Sequence, residues 1–354
     1  MITKYSCVAN ASIPMTNVLK KLMCLRFATV TRNKIVILVF AALLLSTAFS
    51  VGVSHADVGW QPLNADYHAL ALSPDRQLIL GAVSPVDMGS YLRLFYTGTA
   101  SAIARPVWQT DGTSSAAFSS DGRYLAVPSD DETITIWRVN THKIRRVLKG
   151  HMAAVLAVAF SADGTTLASS SNDGTIKLWN VRNWKNVATL TNRNSVMYSL
   201  AFSPDGTRLA AGALKGHCEI WDVPKRTLAC NLESHTDYVV AMTFSSDGAK
   251  LATASGDKTA KIWNAATGQA LLTLRGHTKN LLGIAFSATT NRVVTSSSDG
   301  TVRVWNAATG KELQLFKDFV HVVTVVDFSL DEKTILACEG IKLRQLTLAA
   351  NLTK

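Results

Sequence analysis

The sequence predicts an all-β protein in which four-stranded units are repeated in tandem. Three ladders of residues, in phase with one another, support this prediction, because each recurs at intervals of 42 residues. The ladders comprise Phe118, Phe160, Phe202, Phe244, Phe286 and Phe328; Trp137, Trp179, Trp221, Trp263 and Trp305; and the Asp-Gly pairs that begin at Asp121, Asp163, Asp205 and Asp247.

Each unit is long enough for four short strands. Residues 154–190 contain four runs rich in β-branched residues or alternating apolar with polar: AVLAVAFS, TTLASSS, TIKLWNV and KNVATL. Asp163-Gly164, Asp173-Gly174 and residues 181–183 separate them, so we expect an antiparallel meander with tight turns. A lone meander cannot cover both of its faces. The units must therefore stack, and closing them into a ring would hide the sheet edges.

Short motifs at the unit boundaries resemble those of the WD-repeat family. They are Lys149-Gly150-His151, Ser234-His235 and Arg275-Gly276-His277, each followed by segments like AxxFSxDG and LASSSxDGTIKLWN, and the likeness covers residues 111–319. The resemblance implies a seven-bladed β-propeller of four-stranded antiparallel blades, with diverged copies at both ends. The expected repeats are 66–110, 111–151, 152–193, 194–235, 236–277, 278–319 and 320–354, the last closed by a strand from residues 58–65.

The first 56 residues predict export. Residues 35–53 carry no charge, follow Arg32 and Lys34, and lead into the small-x-small signature Ser54-His55-Ala56. We expect a cleaved signal peptide that leaves a periplasmic or secreted propeller over residues 57–354. A single-pass signal anchor, forming a transmembrane helix with the propeller on the outer side, is the alternative, since the segment is long enough to cross a bilayer. Translation from Met15 or Met23 would shorten the leader.

The formal charge of +11 shrinks when it is mapped along the chain. Six of the 36 basic residues and none of the 25 acids precede residue 57, so the remainder carries 30 bases against 25 acids. This mild excess of +5 shows no basic run, and we expect no nucleic-acid partner. Three cysteines follow the hydrophobic segment. Cys218 and Cys230 should lie on neighbouring strands, either as free thiols or, less favourably, as an oxidised pair.

Three sets of four residues look like a hydrolase triad with an added indole. Because they recur in three units, a structural role is favoured, and the WD-repeat resemblance implies a hydrogen-bonded tetrad that ties the loop before a blade to its inner strands. The sets are His151, Ser169, Asp173 and Trp179; His235, Thr253, Asp257 and Trp263; and His277, Thr295, Asp299 and Trp305. Two other units depart from this pattern, with Gln109, Val127 and Asp131 in one and Arg193 and Lys215 in the other.

No catalytic residue, metal site or cofactor is predicted. The expected innermost strands supply a single acid, Asp327, and His68 and His321 lack a third ligand. A non-catalytic protein-interaction scaffold, with a monomeric propeller, is therefore the favoured function. An exported propeller hydrolase or lactonase-like enzyme with a channel site is the alternative.

The partner-binding face that the resemblance implies is formed by the loops before each first strand and between the second and third strands. In this sequence those loops present Asp130, Asn172, Asp237, Tyr238, Lys279 and Asn280. Tyr238 is the favoured anchor, since we expect an exposed aromatic side chain beside polar neighbours.

Overall fold

The computed structural model describes residues 65–85, 91–99, 103, 108–109, 115–191, 196–233 and 235–352. All of them belong to one compact unit that spans residues 61–354. The expected export or anchor helix, residues 1–56, and residues 58–64 of the closing strand lie outside the described residues. Within the described ranges, no helix combines the length and apolarity needed to cross a bilayer.

The described chain forms seven antiparallel sheets, each a meander in sequence order, and the predicted seven-bladed propeller is confirmed. Blade one contains β1 (Ala65–Leu72), β2 (Leu78–Pro85), β3 (Tyr91–Tyr96) and β4 (Trp108–Gln109). Blade two contains β5 (Ala117–Phe118), β6 (Tyr124–Pro128), β7 (Ile134–Arg138) and β8 (Lys143–Leu148). Blade three contains β9 (Val155–Phe160), β10 (Thr166–Ser171), β11 (Thr175–Asn180) and β12 (Lys185–Thr191).

Blades four to seven follow the same plan. Blade four contains β13 (Met197–Phe202), β14 (Arg208–Ala213), β15 (His217–Asp222) and β16 (Thr227–Glu233). Blade five contains β17 (Val239–Phe244), β18 (Lys250–Ser255), β19 (Ala260–Asn264) and β20 (Ala270–Leu274). Blade six contains β21 (Leu281–Phe286), β22 (Arg292–Ser297), β23 (Thr301–Asn306) and β24 (Glu312–Phe316). Blade seven contains β25 (Val323–Phe328), β26 (Thr334–Glu339) and β27 (Lys342–Thr347), and a short 3-10 helix (Ala350–Leu352) follows.

One strand boundary differs from the sequence prediction. Ala65, which was assigned to the closing strand of the last blade, begins β1 and pairs with Pro85 of β2. The described part of blade seven has three strands.

Neighbouring blades are held together by apolar side chains from both of their facing sheets. Ile136 of blade two packs in one buried cluster with Val158 and Leu167 of blade three, and Leu178 of blade three packs with Leu209 of blade four. Burying such a side chain contributes roughly 1.5–3 kcal/mol. Each sheet therefore depends on its neighbours for the cover of its faces.

The first strand of each blade lies innermost, and the ring closes between the ends of the described chain. First strands of successive blades contact one another from β1 to β25, and β25 in turn contacts β1. Across this seam Arg76 of blade one forms an ion pair with Asp327 of β25. Ile79 and Cys338 add a small apolar cluster beside it.

The turn between the first and second strands is capped by its own Ser-x-Asp sequence in six blades. In blade three the Ser161 hydroxyl donates to Asp163 at 2.5 Å, and the same carboxylate accepts the Thr165 N–H at 3.0 Å. The serine oxygen accepts the Thr166 N–H at 3.0 Å. The intervening Gly164 has a φ of +68°, which glycine adopts without strain.

Blade six lacks this aspartate, and its neighbour supplies a carboxylate instead. Glu332 of blade seven accepts hydrogen bonds from the hydroxyls of Ser287, Thr289 and Thr290 at 2.7–2.9 Å, and from the Thr289 N–H at 2.8 Å. Burial raises the pKa of Glu332, but these hydrogen bonds outweigh it and the net shift is downward. The turn of one blade is thus completed by the next.

We expect replacement of Glu332 by alanine to lower the free energy of unfolding by about 2–3 kcal/mol, because four donors of blade six lose a charged acceptor. Urea unfolding followed by tryptophan fluorescence measures the change. Glu132→Ala is the matched control, since Glu132 also has a positive φ but is exposed. Equal losses for the two variants would contradict this role.

Candidate interaction surface

Loops from all blades gather at one end of the ring. In an antiparallel meander, the loop that enters the first strand and the loop that joins the second and third strands lie at the same end of the sheet. We call this end the entry face. Residues 150–154 and 172–174 form its two loops in blade three.

A chain of hydrogen bonds runs from the core of blade three to its entry face. The Trp179 Nε1–H donates to Ser169 Oγ at 2.9 Å, and Ser169 Oγ lies 2.8 Å from His151 Nε2. His151 Nδ1 lies 2.9 Å from Asp173 Oδ2. Every group is satisfied when the serine hydroxyl donates to Nε2 and a neutral imidazole donates from Nδ1 to the carboxylate.

The predicted tetrads of blades five and six have the same geometry. In blade five, Thr253 Oγ1 accepts from Trp263 at 2.9 Å and lies 2.8 Å from His235, whose Nδ1 is 2.7 Å from Asp257. The corresponding distances in blade six, for Trp305, Thr295, His277 and Asp299, are 2.9, 2.9 and 3.0 Å. The structure therefore brings together all twelve predicted residues.

Each tetrad aspartate also joins the two loops of its blade. Asp173 accepts the Met152 N–H from the entering loop at 2.9 Å and the Thr175 N–H and hydroxyl at 2.9 and 2.6 Å. Although burial raises the carboxyl pKa, these hydrogen bonds and the one from His151 lower the pKa of Asp173 to about 2. The ionised aspartate thus holds both loops in place.

The resemblance of a tetrad to a hydrolase triad is limited to residue types. The Ser169, Thr253 and Thr295 residues are completely buried, and each hydroxyl oxygen already accepts an indole N–H. A substrate carbonyl has no access to such an oxygen, whereas nucleophilic catalysis requires it.

Blade four satisfies its tryptophan by a device that sequence reasoning missed. The Trp221 Nε1–H donates to Glu219 at 2.9 Å, and His217 Nε2 lies 3.1 Å from the same carboxylate. Glu219 is buried, whereas Lys215, at the position of the tetrad aspartate, is exposed. The signal in the sequence was the acid at a repeat position that carries lysine or arginine in Lys177, Lys261 and Arg303.

Blade two departs from the tetrad differently. Val127, at the position of the serine or threonine, is buried, and Asp131 accepts the N–H and hydroxyl of Thr133 within its own loop. Gln109 lies in β4, and Arg193 of the blade-four set lies outside the described residues.

Tyr238 is not the freely exposed anchor that the sequence predicted. Its side chain is half-buried, and its hydroxyl accepts a hydrogen bond from Asn280 Nδ2 of the next blade at 2.7 Å. The ring lies directly over Gly256, where an added Cβ would come within 2.6 Å of the ring. Because a glycine sits beneath it and Asn280 holds its hydroxyl, the ring is fixed in one orientation.

The other predicted partner-binding residues lie in entry-face loops but differ in exposure. Asp237 and Lys279 are exposed on either side of the Tyr238–Asn280 pair, whereas Asp130 and Asn172 are half-buried. The side chains that the structure demonstrably joins are those of Tyr238 and Asn280.

The central channel holds one acid on the described first strands, Asp327, which is paired with Arg76. Burial raises the pKa of Asp327, and Arg76 opposes that shift. His68 lies in β1, and His321 is exposed before β25. Among the described residues, no three His, Cys, Asp or Glu side chains are grouped as metal ligands.

Cys218 and Cys230 are free thiols on the neighbouring strands β15 and β16. They are not directly opposite, because Cys218 pairs with Leu232 and Cys230 with Ile220. Burial raises the pKa of Cys218 to about 12, which suppresses its thiolate.

The propeller and its tetrads define a class of repeat protein, and a comparison with family models agrees. The model described as WD domain, G-beta repeat, matches residues 107–138, 142–180, 184–222, 226–264 and 268–306, which is more than half of the chain. The chain belongs to this family. Each matched segment combines the outer strand of one blade with three strands of the next, for example β8 with β9, β10 and β11. No curated protein sequence matches the chain at a significant level.

The tetrad histidines predict a loss of stability in mild acid. Burial lowers the pKa of His151 and His277 below the model value of 6.5, although their aspartates oppose the shift. A lowered histidine pKa stabilises the fold above the unfolded pKa, and that contribution is lost as the pH falls below it. We expect the urea midpoint to decline as the pH drops from about 6.5 towards 5.

The double variant His151→Gln and His277→Gln should be less stable at neutral pH, by about 1–3 kcal/mol per site, with a flatter pH dependence. His142→Gln, which changes a half-buried histidine outside the tetrads, should keep the slope of the unmodified chain. A double variant with an unchanged slope would contradict the assignment.

Proposed function

We propose that this protein is an exported, non-catalytic scaffold that binds a protein partner on the entry face of its propeller. WD-repeat propellers are typically non-catalytic and generally bind other proteins. The observation that carries the proposal is the Tyr238–Asn280 pair, which joins blades five and six between two exposed charges. An aromatic ring held in one orientation loses little conformational entropy when a partner covers it.

The tetrads support the same surface. They fix the entering loop to the loop between the second and third strands in blades three, five and six, so a partner would meet a preformed face. Asp237 and Lys279 offer charges of opposite sign beside the ring, which favours a partner with a mixed polar surface and an apolar centre.

The proposed location follows from the first 56 residues. A basic start, an uncharged stretch over residues 35–53 and Ala56 at a cleavage position support export to the periplasm or beyond. Retention of that stretch as a membrane anchor would leave the propeller on the same side. The propeller itself is proposed to be monomeric, without a cofactor and without nucleic acid as a partner.

Site-specific photo-crosslinking in the native host tests the proposal. A benzophenone amino acid at Asp237 or Lys279 should capture one reproducible protein, whereas the same amino acid at Lys225, an exposed position in the β15–β16 turn, should not. Mass spectrometry of the captured bait also gives its N-terminus, which distinguishes cleavage after Ala56 from a retained anchor.

Once a partner is purified, Tyr238→Ala should weaken its affinity by about 2 kcal/mol, which is a typical loss for an interface anchor. Tyr96→Ala provides a matched control, since Tyr96 is an exposed tyrosine at the end of β3. Equal crosslinking from Lys225 and Asp237, or equal affinities for both tyrosine variants, would rule out the entry face.

A further inference from the structure

The outer strand of blade two carries a concentration of positive charge. Arg138 of β7 and Lys143, Arg145 and Arg146 of β8 are all exposed, and residues 134–148 contain no acid. Within the described part of the chain, none of these four side chains forms an ion pair or donates a hydrogen bond. Exposed Ile144 and Val147 lie between them. We call these six residues the cationic edge.

The cationic edge is peculiar to this blade. In blades three to six, the repeat positions of Arg138, Arg145 and Arg146 hold no basic residue. Their counterparts are Asn180, Asp222, Asn264 and Asn306; Val187, Ala229, Leu271 and Leu313; and Ala188, Cys230, Leu272 and Gln314. The expectation that the exported part of the chain shows no basic run was therefore wrong for this hairpin, where pairing of β7 with β8 gathers the charges.

Protection of a sheet edge against aggregation does not account for these charges. A β-bulge on the outer strand already interrupts the edge of all five blades from two to six, and in blade two the bulged residue is Arg145. Such a bulge is itself a protective device. The other four blades use it without a cationic strand.

The charges also act against the stability of their own hairpin. Arg138 and Lys143 lie directly opposite each other in the β7–β8 ladder. Like charges in that position are destabilising, and no acid in the hairpin offsets them. A feature that costs stability and breaks the repeat pattern points to binding.

We propose that the cationic edge is a second docking surface, which binds an extended acidic segment of a protein through arginine–carboxylate contacts. Three of its four cations are arginines, whose planar guanidinium groups match carboxylates in two-pronged contacts. Ile144 and Val147 would contact apolar side chains of the same segment.

The dimensions and charge balance favour such a segment over a lipid or nucleic-acid surface. The six residues of β8 extend over roughly 20 Å, a narrow strip that suits one extended chain. Beyond these four cations, residues 57–354 contain 26 bases and 25 acids, so the remaining charge is nearly balanced. A broad polyanion would therefore find little further attraction.

Fluorescence anisotropy with the full-length chain in an uncharged detergent tests the proposal. The probe is a labelled Glu-Ile-Glu-Gly-Glu-Val-Glu-Gly-Glu peptide, and the control peptide has lysine in place of glutamate. The double variant Arg145→Glu and Arg146→Glu should weaken binding of the acidic probe about tenfold or more. A matched variant with the same charge change, Arg182→Glu and Lys185→Glu in the β11–β12 turn, should stay within about twofold.

A single substitution separates binding from folding. Lys143→Glu should weaken the probe's affinity while the melting temperature is unchanged or rises by about 1–2 °C, because the new carboxylate faces Arg138. Tyr238→Ala should leave probe binding unchanged, so the entry face and the cationic edge can fail independently.

Three results would overturn the proposal. The first is equal probe affinity of the unmodified chain and the Arg145/Arg146 double variant. The second is binding of phosphatidylglycerol-containing micelles, lost in that variant, with no binding of the acidic probe, which would assign the edge to a membrane. The third is self-association of the double variant with no probe binding to the unmodified chain, which would make the charges protective.

Discussion

The dependence of every blade on its neighbours is the constraint from which the rest of the structure follows. A four-stranded meander buries one face at most by itself, and here each apolar cluster combines residues of two blades, as Ile136 does with Leu167. The ring removes the remaining exposed faces by bringing β1 against β25. Arg76 and Asp327 mark that closure with an ion pair.

Polar interactions then complete what apolar packing begins. Six turns are capped within their own blade, whereas blade six receives its carboxylate from Glu332 of blade seven. In the same way, blade four replaces a complete tetrad by the contact of Trp221 with Glu219. Diverged repeats are thus stabilised by a residue that has also changed, and the ring tolerates sequence drift where such a partner exists.

The strands, turns and tetrad residues could be predicted because they depend on local sequence and on a repeat that displays the same solution several times. The half-buried state of Tyr238 could not, because it depends on Gly256 in another loop and Asn280 in another blade. The role of Glu332 was hidden for a similar reason, since its partners lie 42–45 residues earlier, in the preceding blade. The cationic edge becomes visible only when the pairing of Arg138 with Lys143 is known.

Entry face and cationic edge differ in how they are built. The entry face has loops fixed by buried hydrogen bonds, which suits a preformed contact, whereas the cationic edge offers solvated charges that suit a flexible acidic chain. Both proposals rest on a propeller whose blades are separately stabilised units.

Hydrogen exchange of the Met152, Thr236 and Thr278 amides tests that central claim directly, since each donates to a tetrad aspartate. All three should exchange slowly in the unmodified chain. Asp257→Ala should accelerate exchange at Thr236 about tenfold or more, with Met152 and Thr278 unchanged. Equal acceleration at all three amides, or an unchanged rate at Thr236, would contradict the account of independently fixed blades.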